Sequence, residues 1–214
     1  MKVVRVTAAF LTVAAIVFFA ASCGKKEYKR EVTQFGSFPF AEADFEENIY
    51  DDSEYMAKER ALRYTSDDGT SVLISDEKYA DYGDGDDTLF FAKYFKAVID
   101  GDAELYRSYH TERFLSDTAK KFDFRTNEGT VFTPQKLYDI EVQKIASEKH
   151  DDTLYRFYIV RYLIYKNNGT YRNDGMLDQS YIPLMVTLTK KDGDSSPLVD
   201  RTEFLSDVVI APES

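Results

Sequence analysis

Leu154–Tyr165 reads LYRFYIVRYLIY, and this stretch decides the fold. Aromatic and β-branched residues dominate it, the composition of a pleated strand rather than a helix. Its even positions carry Leu154, Tyr158, Val160, Tyr162 and Ile164, and its odd positions carry Tyr155, Phe157, Ile159, Leu163 and Tyr165. Both faces are apolar, broken only by Arg156 and Arg161. A strand with one solvated face alternates, so this one predicts a layer on each side. Helices cover one face. The outer face is covered by residues 25–87 folding back or by a second copy, a homodimer through the outer sheet face.

Downstream, the pattern stays that of strands. Asn168-Gly169 marks a turn, and Tyr181–Thr189 alternates with Ile182, Leu184, Val186 and Leu188 on one face and Met185, Thr187 and Thr189 on the other. Pro183 has no N–H and belongs near the start of that strand. Asp192-Gly193 turns the chain into a last strand at Leu198–Leu205. Upstream, Ile140–Ala146 reads as a strand and Thr133-Pro134 as the cap and first residue of one helical turn ending at Leu137. Phe91, Phe95 and Val98 form a helical stripe capped by Asp87 or Thr88 and ended by Gly101. Asp102 caps a second helix with Leu105, Tyr106 and Tyr109, and Thr111–Lys120 is a third with Phe114 and Leu115 inward. Residues 61–64 and 71–74 flank Asp67-Asp68-Gly69-Thr70 as a small hairpin. Short helices followed by about four antiparallel strands predict an α+β fold.

Within this order, the run Phe90–Asp102 and the later Tyr158-x-x-x-Tyr162-x-Ile164-x-x-Asn167-Asn168-Gly169 hairpin resemble domains of the nuclear transport factor 2-like superfamily. The resemblance covers roughly residues 88–206 and rests on element order. It implies a cone in which helices pack into the concave face of a bent sheet, often around a pocket. Members include isomerases, dehydratases and non-catalytic modules, so the fold leaves function open.

The N-terminus supplies an address. Lys2 and Arg5 precede an uncharged run from Val6 to Ala21, followed by Ser22-Cys23-Gly24, which has the layout of a secretory signal. The segment resembles the lipobox of bacterial lipoproteins, in which the cysteine receives a diacylglyceryl group and the upstream residues are removed. That family usually has Leu three positions before the cysteine, where this chain has Ala20. Ordinary signal-peptidase cleavage after Ser22 and retention as a transmembrane anchor are the other readings. Two acyl chains on Cys23 would give stable anchoring. Lys25, Lys26, Lys29 and Arg30 either rest on anionic headgroups or form a solvated leader. The resulting organisation is a signal peptide at 1–22, an acidic spacer at 23–60, a hairpin and acidic loop at 61–87, and the cone domain at 88–214.

The chain has 38 acidic and 27 basic residues, and loss of Lys2 and Arg5 takes its formal charge from −11 to −13. That balance excludes nucleic acid as a partner, since its binding needs clustered Lys and Arg. A single cysteine allows no internal disulfide. His110 and His150 are the only histidines and neither has a neighbouring His or Cys, so a structural or surface role is expected for both. The acidic run Asp76, Glu77, Asp81, Asp84, Asp86 and Asp87 lacks a calcium-loop register and reads as a solvated loop. No metal, cofactor or catalytic constellation is expected. Candidate pocket residues are Tyr106, Tyr158 and Tyr162, with Tyr109, Asp139 and Glu141 as further groups an isomerase- or dehydratase-like carboxylate/Tyr pair could draw on. The function expected is non-catalytic binding or scaffolding at the extracytoplasmic face of a cell membrane, with a protein or cell-wall partner.

Overall fold

A computed structural model of the chain describes residues 47–75, 78, 87–121, 133–168, 170–171 and 183–205. Cys23, the basic leader, most of the acidic run at 76–87, Gly169 and Ile182 lie outside the described residues. After a single 3₁₀ turn at Ile49–Asp51 come α1 (Ser53–Met56), β1 (Leu62–Thr65) and β2 (Ser71–Ile74). Next are α2 (Asp87–Asp100), α3 (Ala103–Ser108) and α4 (Glu112–Lys121). The chain then forms β3 (Leu137–His150), β4 (Thr153–Ile164), β5 (Leu184–Lys191) and β6 (Leu198–Phe204).

The expectation of an antiparallel sheet of about four strands is corrected here. The described strands form one six-stranded mixed sheet in the order β2-β1-β3-β4-β5-β6. The hairpin at 62–74 is not an accessory: Leu62–Thr65 pairs in parallel with Ile140–Gln143. A parallel pair needs a long crossover, and α2–α4 provide it. Four-residue β1 and β2 carry too little pattern to announce this partner. The longest strand is β3, at 14 residues, rather than β4, at 12. Its first half alternates polar and apolar residues from Asp139 to Gln143, and its last four residues are exposed.

Local chemistry explains the turns. At Gly69 (φ +84) the hairpin closes with Ser66 N–H donating to Thr70 O at 2.9 Å. Gly101 (φ +70) ends α2, and Asp102 N–H donates back to Ala97 O at 2.9 Å. The Asp102 carboxylate then caps α3 by accepting from Leu105 N–H at 2.9 Å. Pro183 immediately precedes β5 and offers only its carbonyl, to Leu205 N–H at 3.1 Å. Thr133–Lys136 is not the helical turn its Thr-Pro pair suggests. It runs irregularly past the end of α2, with Gln135 N–H on Ile99 O at 3.1 Å. The need of that helix end's free carbonyl for a donor overrides local propensity.

Residues 47–60 are not an extended spacer. Ile49 and Tyr55 are buried, and the Tyr55 hydroxyl donates to Leu137 O at 2.9 Å. Buried Lys136 donates to Glu47 and, at 2.8 Å, to Asp52, whose other oxygen caps α1. These bonds fix the segment against the start of β3. Lys58 lies over the rings of Tyr138 and Tyr165, at 5.4 and 5.2 Å.

A candidate binding face

The three tyrosines singled out from sequence are brought into one layer, but that layer is packed. Tyr106, Tyr158 and Tyr162 are 4%, 0% and 2% exposed. Phe91 meets Tyr158 edge-on with centroids 4.8 Å apart, and Phe95 meets Tyr162 at 5.8 Å. Tyr106 sits against Tyr94, Tyr171 and His110. The Tyr94–Tyr106 and Tyr162–Tyr171 hydroxyls pair at 3.5 Å. Burial holds the Tyr94 and Tyr158 hydroxyls well above the ordinary phenol range, so both stay neutral. Edge-to-face aromatic packing of this kind stabilises a core.

Of the carboxylates named with them, Glu141 is turned to the other face and pairs with Arg161 at 3.6 Å. Asp139 stands at a bulge of β3 with φ +48, its N–H on Glu59 O. The carboxylate that does lie near Tyr158 is Asp87, in the first turn of α2. Its oxygens face Arg156 and, at 3.8 Å, Lys144, so it serves as an ion-pair anchor and not as the helix cap expected. Among the described residues the Tyr158 hydroxyl has no partner in hydrogen-bond geometry, although the nearby Asp87 carboxylate helps to raise its pKa.

His110 is buried in the same layer, 5% exposed, stacked on Phe114 at 4.3 Å. Its Nδ1 lies 2.7 Å from Tyr106 O. A carbonyl only accepts, so Nδ1 carries the proton and Nε2 is a bare lone pair, with no partner among the described residues. Burial pushes its pKa down to about 4.

The opposite face of β4 is different at its two ends. Leu163 and Tyr165 are buried, and Tyr165 donates to Glu54 of the 47–60 segment. Tyr155 and Phe157 are only half-buried and floor an open groove of about 540 Å³. Cross-strand register builds its surface: Phe157 lies opposite Thr187, which lies opposite Arg201; Tyr155 lies opposite Thr189, which lies opposite Leu198. A register shift between Thr187 and Leu188 leaves Asp200 as the extra residue of β6. Its oxygens take Thr111 at 3.0 Å and Arg113 at 2.6 Å, which stand at the start of α4 and wall the groove. Strand reading identified Tyr155, Phe157, Thr187 and Thr189 as one-face residues. Arg113, Asp200 and Arg201 were missed, because a contact across 87 residues and a bulge leave no local signal.

Among the described residues no group of three metal-ligating side chains converges, and no helix is long and apolar enough to cross a membrane. Comparison of the chain with family models, curated proteins and solved structures returns no match.

Proposed function

We propose that the chain is an extracytoplasmic lipoprotein, tethered by lipid on Cys23, whose domain binds a partner or ligand at the cell envelope without catalysis. The signal-like N-terminus supports the address. The observation that carries the binding role is the contrast between the two faces of β4. The inner tyrosines are consumed in packing, while Tyr155 and Phe157 are only partly buried and line the groove. The nuclear transport factor 2-like resemblance stays a proposal for α2–α4 and β3–β6, supported by element order.

A second reading, a carboxylate/Tyr enzyme of the isomerase or dehydratase kind, is favoured by the nearness of Asp87 to Tyr158. Against it, Asp87 is already committed to Arg156 and Lys144, and a base needs an open carboxylate within reach of substrate.

The anchor is tested by expressing the full chain in a bacterium fed an alkyne-tagged fatty acid. Wild type is expected in the membrane fraction and labelled, and Cys23→Ala unlabelled and released or unprocessed. An unlabelled wild-type chain refutes the lipid anchor.

A further inference from the structure

We infer that the groove on the outer face of β4–β6 binds an acidic saccharide: sugar rings bearing carboxylate or phosphate groups. The inference deepens the proposed binding role and rests on it only for where such a ligand is met.

The floor comes first. Tyr155 and Phe157 are alternate residues of one strand, so their rings stand about 7 Å apart on the same face. A pyranose presents a C–H face to such a ring and its hydroxyls around the rim. Two half-exposed rings at that spacing form a platform for consecutive sugars. Each ring has a threonine hydroxyl directly across the strand pair, Thr189 for Tyr155 and Thr187 for Phe157, and Thr153 adds a third beside them. Apolar faces alternating with single hydroxyls suit a ligand that is itself amphipathic in the same way.

Charge narrows the class. The groove holds Arg113, Lys191 and Arg201 against Asp194 and Asp200, a local excess of cations in a chain of net charge −11. The carboxylates are already occupied: Asp200 by Thr111 and Arg113, and Asp194 by the backbone N–H of Lys191 at 3.1 Å. Arg113 is committed to Asp200 in turn, but the other two cations are not so held. Lys191 makes no side-chain bond to another described residue, and Arg201 reaches only Glu203, at 3.8 Å. What remains for a ligand is therefore mainly donors, which favours an acceptor-rich, negatively charged glycan over a neutral one. An extended peptide fits less well. Strand addition needs an open edge, and the outer edge of β6 at Val199 is taken by residues 109–111, through Val199 N–H to Tyr109 O and Thr111 N–H to Val199 O. The volume is within the usual range for a small-ligand site.

The test uses the full chain in detergent on a panel of immobilised oligosaccharides with carboxylated, phosphorylated and neutral members. Wild type is expected to retain acidic members and to release them as salt rises. Arg201→Gln and Tyr155→Thr should each weaken retention at least tenfold while thermal unfolding stays within a few degrees of wild type. Thr189→Val, which keeps the shape and loses one hydroxyl, should weaken it less. Retention of neutral members equal to acidic ones, retention unaltered in Arg201→Gln and Tyr155→Thr, or no retention at all overturns the inference. Cys23→Ala should bind the same members as wild type. Loss of the fatty-acid label with glycan binding intact thus removes the anchor alone, and the converse removes only the saccharide site.

Discussion

Mild acid should destabilise this domain through one residue, His110. Its imidazole is enclosed by Phe114, Tyr106 and Tyr94, with Nδ1–H on Tyr106 O and nothing to receive a proton placed on Nε2. The folded pKa is lowered to about 4 from 6.5, and burial is the main cause. The unfolded chain therefore binds more protons than the folded one between those values, so stability is full above pH 6.5 and is lost as pH falls toward 4. Integrating that difference from pH 7 to 4.5 gives a loss of about 2.5 kcal/mol. Tyr94, packed against the ring, remains neutral over this range; Asp52, away from the ring and held below the ordinary carboxylate range chiefly by Lys136, begins to matter only under pH 4. Urea unfolding at half-unit pH steps measures the effect, and subtracting the same series for His110→Gln removes contributions common to both chains. The difference should grow at up to about 1.4 kcal/mol per pH unit below 6. An NMR titration placing His110 at 6.5 or higher, or parallel profiles for the two chains, would show that attraction of the imidazolium to the surrounding rings outweighs desolvation, and the reasoning fails.

Three further substitutions probe separate links. Gly101→Ala should cost about 3 kcal/mol: about 1 for a left-handed residue with a Cβ, the rest because that Cβ would stand 2.5 Å from the Pro134 nitrogen; a loss under 1 in urea titration contradicts it. Asp52 has two roles, and two variants separate them by chemical denaturation. Asp52→Asn keeps an oxygen for the Glu54 and Tyr55 N–H groups but leaves buried Lys136 with Glu47 alone, costing about 2 kcal/mol. Asp52→Ala should add about 1 for the lost cap, and equal costs would refute the division. Tyr158→Phe removes a buried hydroxyl that has no partner in hydrogen-bond geometry among the described residues and lies beside the Asp87 carboxylate, so stability should hold or rise by about 1 kcal/mol; a loss above 1 would mean the hydroxyl bonds to Asp87, and would revive that pair as a site.

Much of the fold was legible where chemistry is local. Positive φ at Gly69, Gly101 and Gly193, the Asp102 cap and the alternation of Leu184, Val186 and Leu188 follow from residues a few places apart. The parallel β1–β3 pairing was not legible, because four residues of LRYT match many partners equally. The acid-rich stretch before Ala57 read as an acidic spacer. It packs because Tyr55 and Ile49 dock and because Lys136, a residue far downstream, neutralises two of its carboxylates. The two apolar faces of β4 were visible in LYRFYIVRYLIY, but not that cover would reach Leu163 and Tyr165 and stop short of Tyr155 and Phe157.

His110 and the groove share a structural element. The segment 109–111 binds the edge of β6 on both sides of Val199, and the next residues, Thr111 and Arg113, hold Asp200 in place. A proton on His110 is accommodated by opening this segment, since in the closed form no described residue offers Nε2 an acceptor. Acid should therefore act locally before it unfolds the domain. With His110 at about 4 when closed and 6.5 when open, protection of the Thr111 and Val199 amides should fall about 20-fold between pH 7 and 5, after correction for intrinsic exchange. Amides in the α2-facing centre of β4, such as Val160, should change far less, and His110→Gln should abolish the difference. Uniform loss of protection across the sheet would mean that the acid response is global. A selective loss would make the wall formed by Thr111 and Arg113 the first part of the groove to come apart as pH falls.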